Sequence, residues 1–237
     1  MVTTNFRDGV TNAAAEETLG DYIRMDPTQS FQFFEEFVSV NVGTTGTDWL
    51  ATNVGSTPTY VAASVDGGAV LITNTGGAND SCFIQWQGKN AGTAIAPCLI
   101  TAGKRAWFKA RFKVSDATLS IVVMGLQNVD TTPAVVSDGV FFIKPTAAAT
   151  VNFVVEGGST ATTTSAVATM ANDTWIDVGW QYNGIDKVIY YINNAAVGTA
   201  VITNLPTAAL TPSFGIQNGE AVAKTMTVDY IFFASER

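Results

Sequence analysis

Lys104 to Val114 reads KRAWFKARFKV, and its alternation decides the fold class. Ala106, Phe108, Ala110, Phe112 and Val114 fall on one side of an extended chain, while Arg105, Trp107, Lys109, Arg111 and Lys113 fall on the other. Successive side chains of a pleated strand point to opposite faces, so a period of two marks a strand with one face in a core and one in water. Trp107 is expected on the solvated face, among the stems of the basic residues.

Working outward, the same period recurs in short β-branched or aromatic runs: SFQFFEEFVSV (Ser30 to Val40), AVLITN (Ala69 to Asn74), SCFIQWQ (Ser81 to Gln87), LSIVVMGLQ (Leu119 to Gln127), GVFFIK (Gly139 to Lys144), VNFVVEG (Val151 to Gly157) and KTMTVDYIFFASE (Lys224 to Glu236). Clusters such as VDGG, NTGGAND, EGGST and NGID separate them, and their Gly, Asn and Asp residues supply tight-turn geometry. About a dozen strands with regular turns and no convincing long helix predict a sandwich or barrel. The segment TATTTSAVAT (Thr160 to Thr169) reads as an exposed strand or loop of the same unit. Residues 1–29 lack sustained alternation, with at most one or two helical turns in Asn12 to Leu19. The expected organisation is an N-terminal arm over 1–29 and a sandwich domain over 30–237.

Composition narrows the function. The 237 residues are 47% hydrophobic and only 14% charged, against about 25% charged in an ordinary soluble domain. A surface of Thr, Ser, Asn and Gly follows. A net charge of −8 opposes nucleic-acid binding, which needs a basic footprint to offset phosphate. No apolar run approaches the roughly 18 residues that cross a bilayer, and the opening residues lack signal-peptide features. Synthesis in a cytoplasm and no membrane partner are therefore expected. Cys82 and Cys98 are expected as free, buried thiols, although pairing is open if their Cα atoms lie within about 7 Å. With two cysteines and no histidine, a zinc site lacks its ligand set.

The C-terminal half carries a series of markers. A Trp-led strand (Trp175 to Tyr182) reaches Asn183-Gly184, a strand with Tyr190 and Tyr191 reaches Asn193-Asn194, and the chain closes on MTVDYIFF (Met226 to Phe233). This succession resembles the concanavalin A-like lectin and glucanase superfamily over about Phe31 to Ala234. The resemblance implies an all-β, two-sheet antiparallel jelly-roll sandwich with an extended N-terminal arm, and it leaves activity open because one fold hosts many functions. Phe6-Arg7-Asp8-Gly9-Val10-Thr11-Asn12, Leu19-Gly20, Asp26-Pro27-Thr28 and Phe33 to Phe37 are also similar to the opening of structural proteins of marine tailed bacteriophages. That similarity implies a non-enzymatic virion component. It is foremost a capsid decoration or cement protein on the head surface, with a tail or fibre component as the second choice, and with the major capsid protein and further copies of itself as partners. A homotrimer is the expected assembly. Phe6, Arg7, Leu19, Tyr22 and Ile23 are the arm residues that would carry it.

The residues that do chemistry are sparse. Glycan hydrolysis needs two carboxylates flanking the scissile bond, and the E-x-D-x-x-E strand motif of laminarinase-like proteins is absent. Glu35 and Glu36 are adjacent and so point to opposite faces. Histidine-based triads fail for want of any histidine, and the Gly-Gly pairs lack the Gly-Lys-Ser/Thr ending of a phosphate loop. No cofactor is expected. Calcium is the one candidate, at Asn79-Asp80, Asp130, Asp138, and Asn183 with Asp186, but the acidic spacing is thin and turn formation accounts for these residues. The alternative to an assembly role is a glycan-binding module. Trp49, Trp86 and Trp107 are the candidate sugar platform, with Trp175 and Trp180 assigned to the core.

Overall fold

The computed structural model describes residues 29–55, 57–88 and 95–237. The arm residues Phe6, Arg7, Leu19, Tyr22 and Ile23 lie outside them. Sixteen strands run through the described residues: β1 Ser30–Glu35, β2 Val42–Gly43, β3 Trp49–Val54, β4 Thr59–Ala62, β5 Val70–Thr73, β6 Ser81–Trp86, β7 Ala106–Val114, β8 Ser120–Gln127, β9 Gly139–Lys144, β10 Thr150–Gly157, β11 Thr160–Thr169, β12 Ile176–Tyr182, β13 Lys187–Ile192, β14 Ala195–Val201, β15 Thr211–Asn218 and β16 Thr225–Glu236. No helix occurs among the described residues.

The strands form two eight-stranded sheets. The front sheet runs β14-β13-β12-β7-β16-β5-β4, with β1 also on β16; the back sheet runs β11-β10-β9-β8-β15-β6-β3-β2. Pairing is antiparallel except between β2 and β3. The core lies between the sheets, where Ile84, Phe112, Phe142, Phe214 and Phe233 are buried in one cluster. The burial of β7 alternates without a break, with Ala106, Phe108, Ala110, Phe112 and Val114 inward, as its period of two predicts. Thr160–Thr169 is an edge strand of mostly exposed residues.

β16 organises the front sheet. Its Thr225–Val228 half pairs with β5 and its Ile231–Glu236 half with β1, while β7 follows nearly its whole length on the other side. The register with β7 passes from Val228 opposite Phe112 to Tyr230 opposite Arg111, so Asp229 is an extra residue in a bulge. Before the bulge Met226 and Val228 face the core; after it Ile231 and Phe233 do. The bulge therefore turns Tyr230 and Phe232 outward. Asp229 is anchored there by Arg111, whose Nη1 donates to its carboxylate at 2.7 Å.

The expected strand Ser30 to Val40 is shorter in the structure. It stops at Glu35, whose carboxylate accepts the Phe37 N–H at 2.8 Å while Phe37 takes a φ of 52° and drops its ring into the core. Cys82 and Cys98 are free and buried. Burial pushes the Cys82 thiol up to about 12.

The outer face of the back sheet is closed by its own loop. Phe141 lies across Gly125 and Phe83 across Gly215, each aromatic directly opposite a glycine on the neighbouring strand. With Val123, Val136 and Val154 they form a second small core. Residues 128–138 fold over it, held by Gln85, which donates to the Asn128 carbonyl at 3.0 Å, and Gln127, which donates to the Pro133 carbonyl at 2.7 Å. The front sheet has no such cover among the described residues.

Candidate functional site

On the open face of the front sheet the registers set side chains in rows. One row runs Tyr191, Gly179, Lys109, Phe232, Phe34; the next runs Gln181, Trp107, Ala234, Gln32; a third brings Asp177, Arg111 and Tyr230 side by side. Gly179 leaves the first row without a side chain at its centre. A Cβ there would stand 3.0 Å from the Phe108 carbonyl oxygen and 3.7 Å from Lys109 Cγ. The gap is a hollow of about 370 Å³ rimmed by Trp107, Lys109, Asp177, Gln181, Tyr191 and Phe232, within the roughly 300–1,000 Å³ of small-ligand sites. Asn194, also at the rim, comes from the two-residue β13–β14 turn. Asn193 and Asn194 take φ of 48° and 66° there, the primed geometry that Asn tolerates. Asn193 then accepts the Asp177 N–H at 3.0 Å, fixing the turn to the rim.

Several polar groups on this face are oriented by hydrogen bonds. The Tyr191 hydroxyl donates to Gln181 Oε1 at 3.3 Å, and the Tyr230 hydroxyl to Asp177 Oδ1 at 2.8 Å. Burial, then the Asp177 hydrogen bond and charge, raise Tyr230 well above the ordinary phenol range. Arg105 donates to Glu236 through Nε at 2.8 Å and Nη2 at 2.6 Å. Burial pushes the Glu236 carboxyl up, and the Arg105 hydrogen bonds and charge overcome it and hold it low. The cations also lie on rings: Arg105 is 5.5 Å from the Trp107 centroid, Lys109 5.6 Å from Tyr230, Arg111 4.7 Å and Lys113 5.3 Å from Trp175. Cation–π contact of this kind aligns a cation without neutralising it.

Of the expected sugar platform, Trp107 alone reaches the hollow. Trp49 and Trp86 both point inward. Trp49 is 1% exposed, packs edge-on against Trp86 at 5.3 Å, and donates its Nε1 to Glu35 at 3.4 Å. Trp86 is half-buried against Phe33 at 5.0 Å. The assignment of Trp175 to the core is also corrected. Trp175 and Trp180 are an odd number of residues apart, so one strand cannot turn both inward. Trp180 is 1% exposed under the hollow, stacked on Phe108 at 6.0 Å, and Trp175 lies outside beneath Arg111 and Lys113. Gly179 and Tyr191, which shape the hollow, were missed as site residues. Their signal is a glycine at an outward position of a Trp-led strand and a second tyrosine on the face opposite to Tyr190.

The loops considered for calcium hold their carboxylates in turns. Asp80 accepts Thr75 Oγ1 at 2.5 Å and the Gly77 N–H at 2.9 Å; Asp130 accepts the Thr132 N–H at 2.7 Å; Asn183 accepts the Ile185 and Asp186 N–H groups at 3.0 Å. Among the described residues no three Asp, Glu, Cys or His side chains gather as a metal cluster. Glu156 has its carboxyl raised by burial and by the charge of Asp138. Asp138 is itself tied to Ser137 Oγ at 2.8 Å and the Gly158 N–H at 3.1 Å.

No family model and no curated protein matches the chain. Solved structures do. A protein of unknown function from Shewanella oneidensis MR-1 is similar over 88% of this chain and 87% of its own, at 14% identity and a TM-score of 0.59. A β-1,3-1,4-glucanase (lichenase) derived from a mouse hindgut metagenome is similar over 85% and 98%, at 10% identity and a TM-score of 0.57. A GH16 protein of the Bacteroides ovatus mixed linkage glucan PUL, in complex with a G4G4G3G product, is similar over 84% and 98%, at 10% identity and a TM-score of 0.55. The fold is the concanavalin A-like jelly roll. At these identities the likeness extends to architecture alone.

Proposed function

We propose that this chain is a non-catalytic carbohydrate-binding jelly roll. The observation that carries this reading is the hollow at Gly179, with Trp107, Tyr191 and Phe232 as apolar walls and Gln181, Asp177 and Asn194 as polar groups on its rim. A sugar ring has an apolar face that packs on aromatic rings and hydroxyl edges that pair with amides and carboxylates, and this mixture suits it. Two of the similar structures are named for glucans, and the same ligand class fits here. Among the described residues Asp177 is the one carboxylate lining the hollow, and its Oδ1 accepts the Tyr230 hydroxyl. Hydrolysis needs a second carboxylate across the bond, so the lining supports binding without turnover.

The test is a glycan array with wild type, Trp107→Ala and Tyr191→Ala. Each substitution is expected to weaken retention by about tenfold, the scale of one lost aromatic contact, with an unchanged melting temperature and no cleavage of bound oligosaccharides. Retention unaffected by either substitution would remove the hollow from the reading.

Where the module works is a separate proposal. The similarity of residues 6–37 to tailed-phage structural proteins supports display on a virion capsid surface, with the major capsid protein and further copies of this chain, as a homotrimer, as partners. In the described residues β1 pairs only with β16 and so forms an edge of the front sheet, where a preceding segment can leave the domain. Purified particles without this chain in their mass spectra would sink the location and leave carbohydrate binding standing.

A further inference from the structure

We propose that the ligand of this face is an anionic saccharide, carrying carboxylate or sulfate groups, held along β7 by Lys109 and Lys113; this rests on the carbohydrate reading above. The chain has a net charge of −8, yet five of its 12 Lys and Arg residues fall between Lys104 and Lys113. Four of them, Arg105, Lys109, Arg111 and Lys113, project from the open face in a single row, roughly 25 Å long at about 3.3 Å per residue. Like charges two residues apart on one strand repel each other. Two of the four are answered: Arg105 pairs with Glu236 and Arg111 with Asp229, at 2.6 and 2.7 Å. Lys109 and Lys113 have no ion-pair partner among the described residues, and their ammonium groups rest over Tyr230 and Trp175. Among its described residues an acidic protein thus keeps two aligned cations without an ion-pair partner beside an aromatic hollow.

Their placement matches what an acidic sugar needs. Lys109 is the direct cross-strand neighbour of Gly179, so a ring seated in the hollow against Trp107 and Tyr191 has an ammonium at its edge. Lys113 stands about 13 Å further along the strand, in position for an acid group of a later sugar. Asp177 sits on the Arg111 row with one oxygen taken by Tyr230. Its charge repels an anion there and directs the acid group of the seated ring toward Lys109, while its second oxygen accepts a sugar hydroxyl.

The test is calorimetric titration of the full chain with three oligosaccharides of equal length: a neutral glucan, a uronate and a sulfated glycan, each at 50 and 300 mM salt. One anionic oligosaccharide or both are expected to bind at least tenfold more tightly than the glucan, with an advantage that shrinks at the higher salt. Lys109→Gln and Lys113→Gln are each expected to weaken the anionic ligand about fivefold, and Lys113→Gln, which lies off the rim of the hollow, to leave the glucan unchanged. The uronate and sulfate arms distinguish the two acid groups. Glucan binding equal to or tighter than both anionic ligands, or lysine variants that bind the anionic ligands as wild type does, overturns the anion assignment and leaves the carbohydrate reading intact. No binding of any of the three overturns both.

Discussion

Replacing Lys144 with methionine is expected to lower unfolding free energy by about 1–3 kcal/mol, the cost of leaving buried carbonyl groups without their donor. Lys144 is 1% exposed. Its ammonium donates to the carbonyls of Thr118 at 3.4 Å, Ser120, Pro145 at 3.1 Å and Ala148 at 3.3 Å. Those oxygens belong to the turn before β8, the first residue of β8 and the turn after β9, so one cation ties together two chain segments at the same end of the back sheet. Methionine matches the length of the side chain and has no donor to offer. The carbonyls then pair with water or go unsatisfied, at about 1–3 kcal/mol for each that stays dry. Urea unfolding of the two proteins measures the difference, and a loss below about 1 kcal/mol would show that water serves these carbonyls equally well. The pH dependence supplies a second reading. Burial pushes Lys144 down to about 8 from 10.5, against the opposing charge of Asp116. Between those two values the unfolded chain binds more protons than the folded one, so Lys144 contributes stability that rises with pH across that window. The gap between wild type and Lys144→Met should therefore widen from pH 8 to 10.5.

Gly125→Val is expected to abolish folding. A Cβ at Gly125 would stand 2.5 Å from both Cα and Cβ of Phe141 and 2.7 Å from the Val140 carbonyl oxygen. Two of these are backbone atoms of the paired strand β9, so no rotamer change relieves the clash; the strands must separate or the register slip. A one-residue slip exchanges the inward and outward faces of β9, putting Phe142 under the 128–138 loop and Phe141 in the main core, each in the wrong layer. Expression in the insoluble fraction, or a soluble protein without a cooperative unfolding transition, is the expected outcome. A soluble variant melting within a few degrees of wild type would show that the glycine is not required.

How far residues alone predict this molecule depends on whether their rule is local. The alternation of KRAWFKARFKV survives intact because β7 is flanked by β12 and β16 and its two faces meet a core and solvent throughout. MTVDYIFF breaks the same rule at Asp229, where the inward parity changes from even to odd numbers. Nothing in the local pattern announces that bulge, because the partner that anchors Asp229, Arg111, lies on another strand. Trp49 and Trp86 are similar cases: each sits in an alternating run, and only the pairing of β3 with β6 shows that both face the same aromatic cluster. Trp175 is legible from the residues, since counting to Trp180 places the two on opposite faces. The hollow itself was hidden for a different reason. It consists of a missing side chain at Gly179, and it becomes a cavity only through Lys109 and Tyr191 on either side.

The position of β16 also bears on how the protein is made. Three strands, drawn from residues 30–35, 70–73 and 106–114, are all templated by residues 225–236. During synthesis those earlier segments leave the ribosome with apolar faces and open edges, and their common partner emerges after all three. The front half of the sandwich therefore forms after translation of that stretch, by contacts between segments far apart in sequence, a topology associated with slow folding. Until then the exposed strands depend on chaperones or on dilution to avoid pairing with other chains.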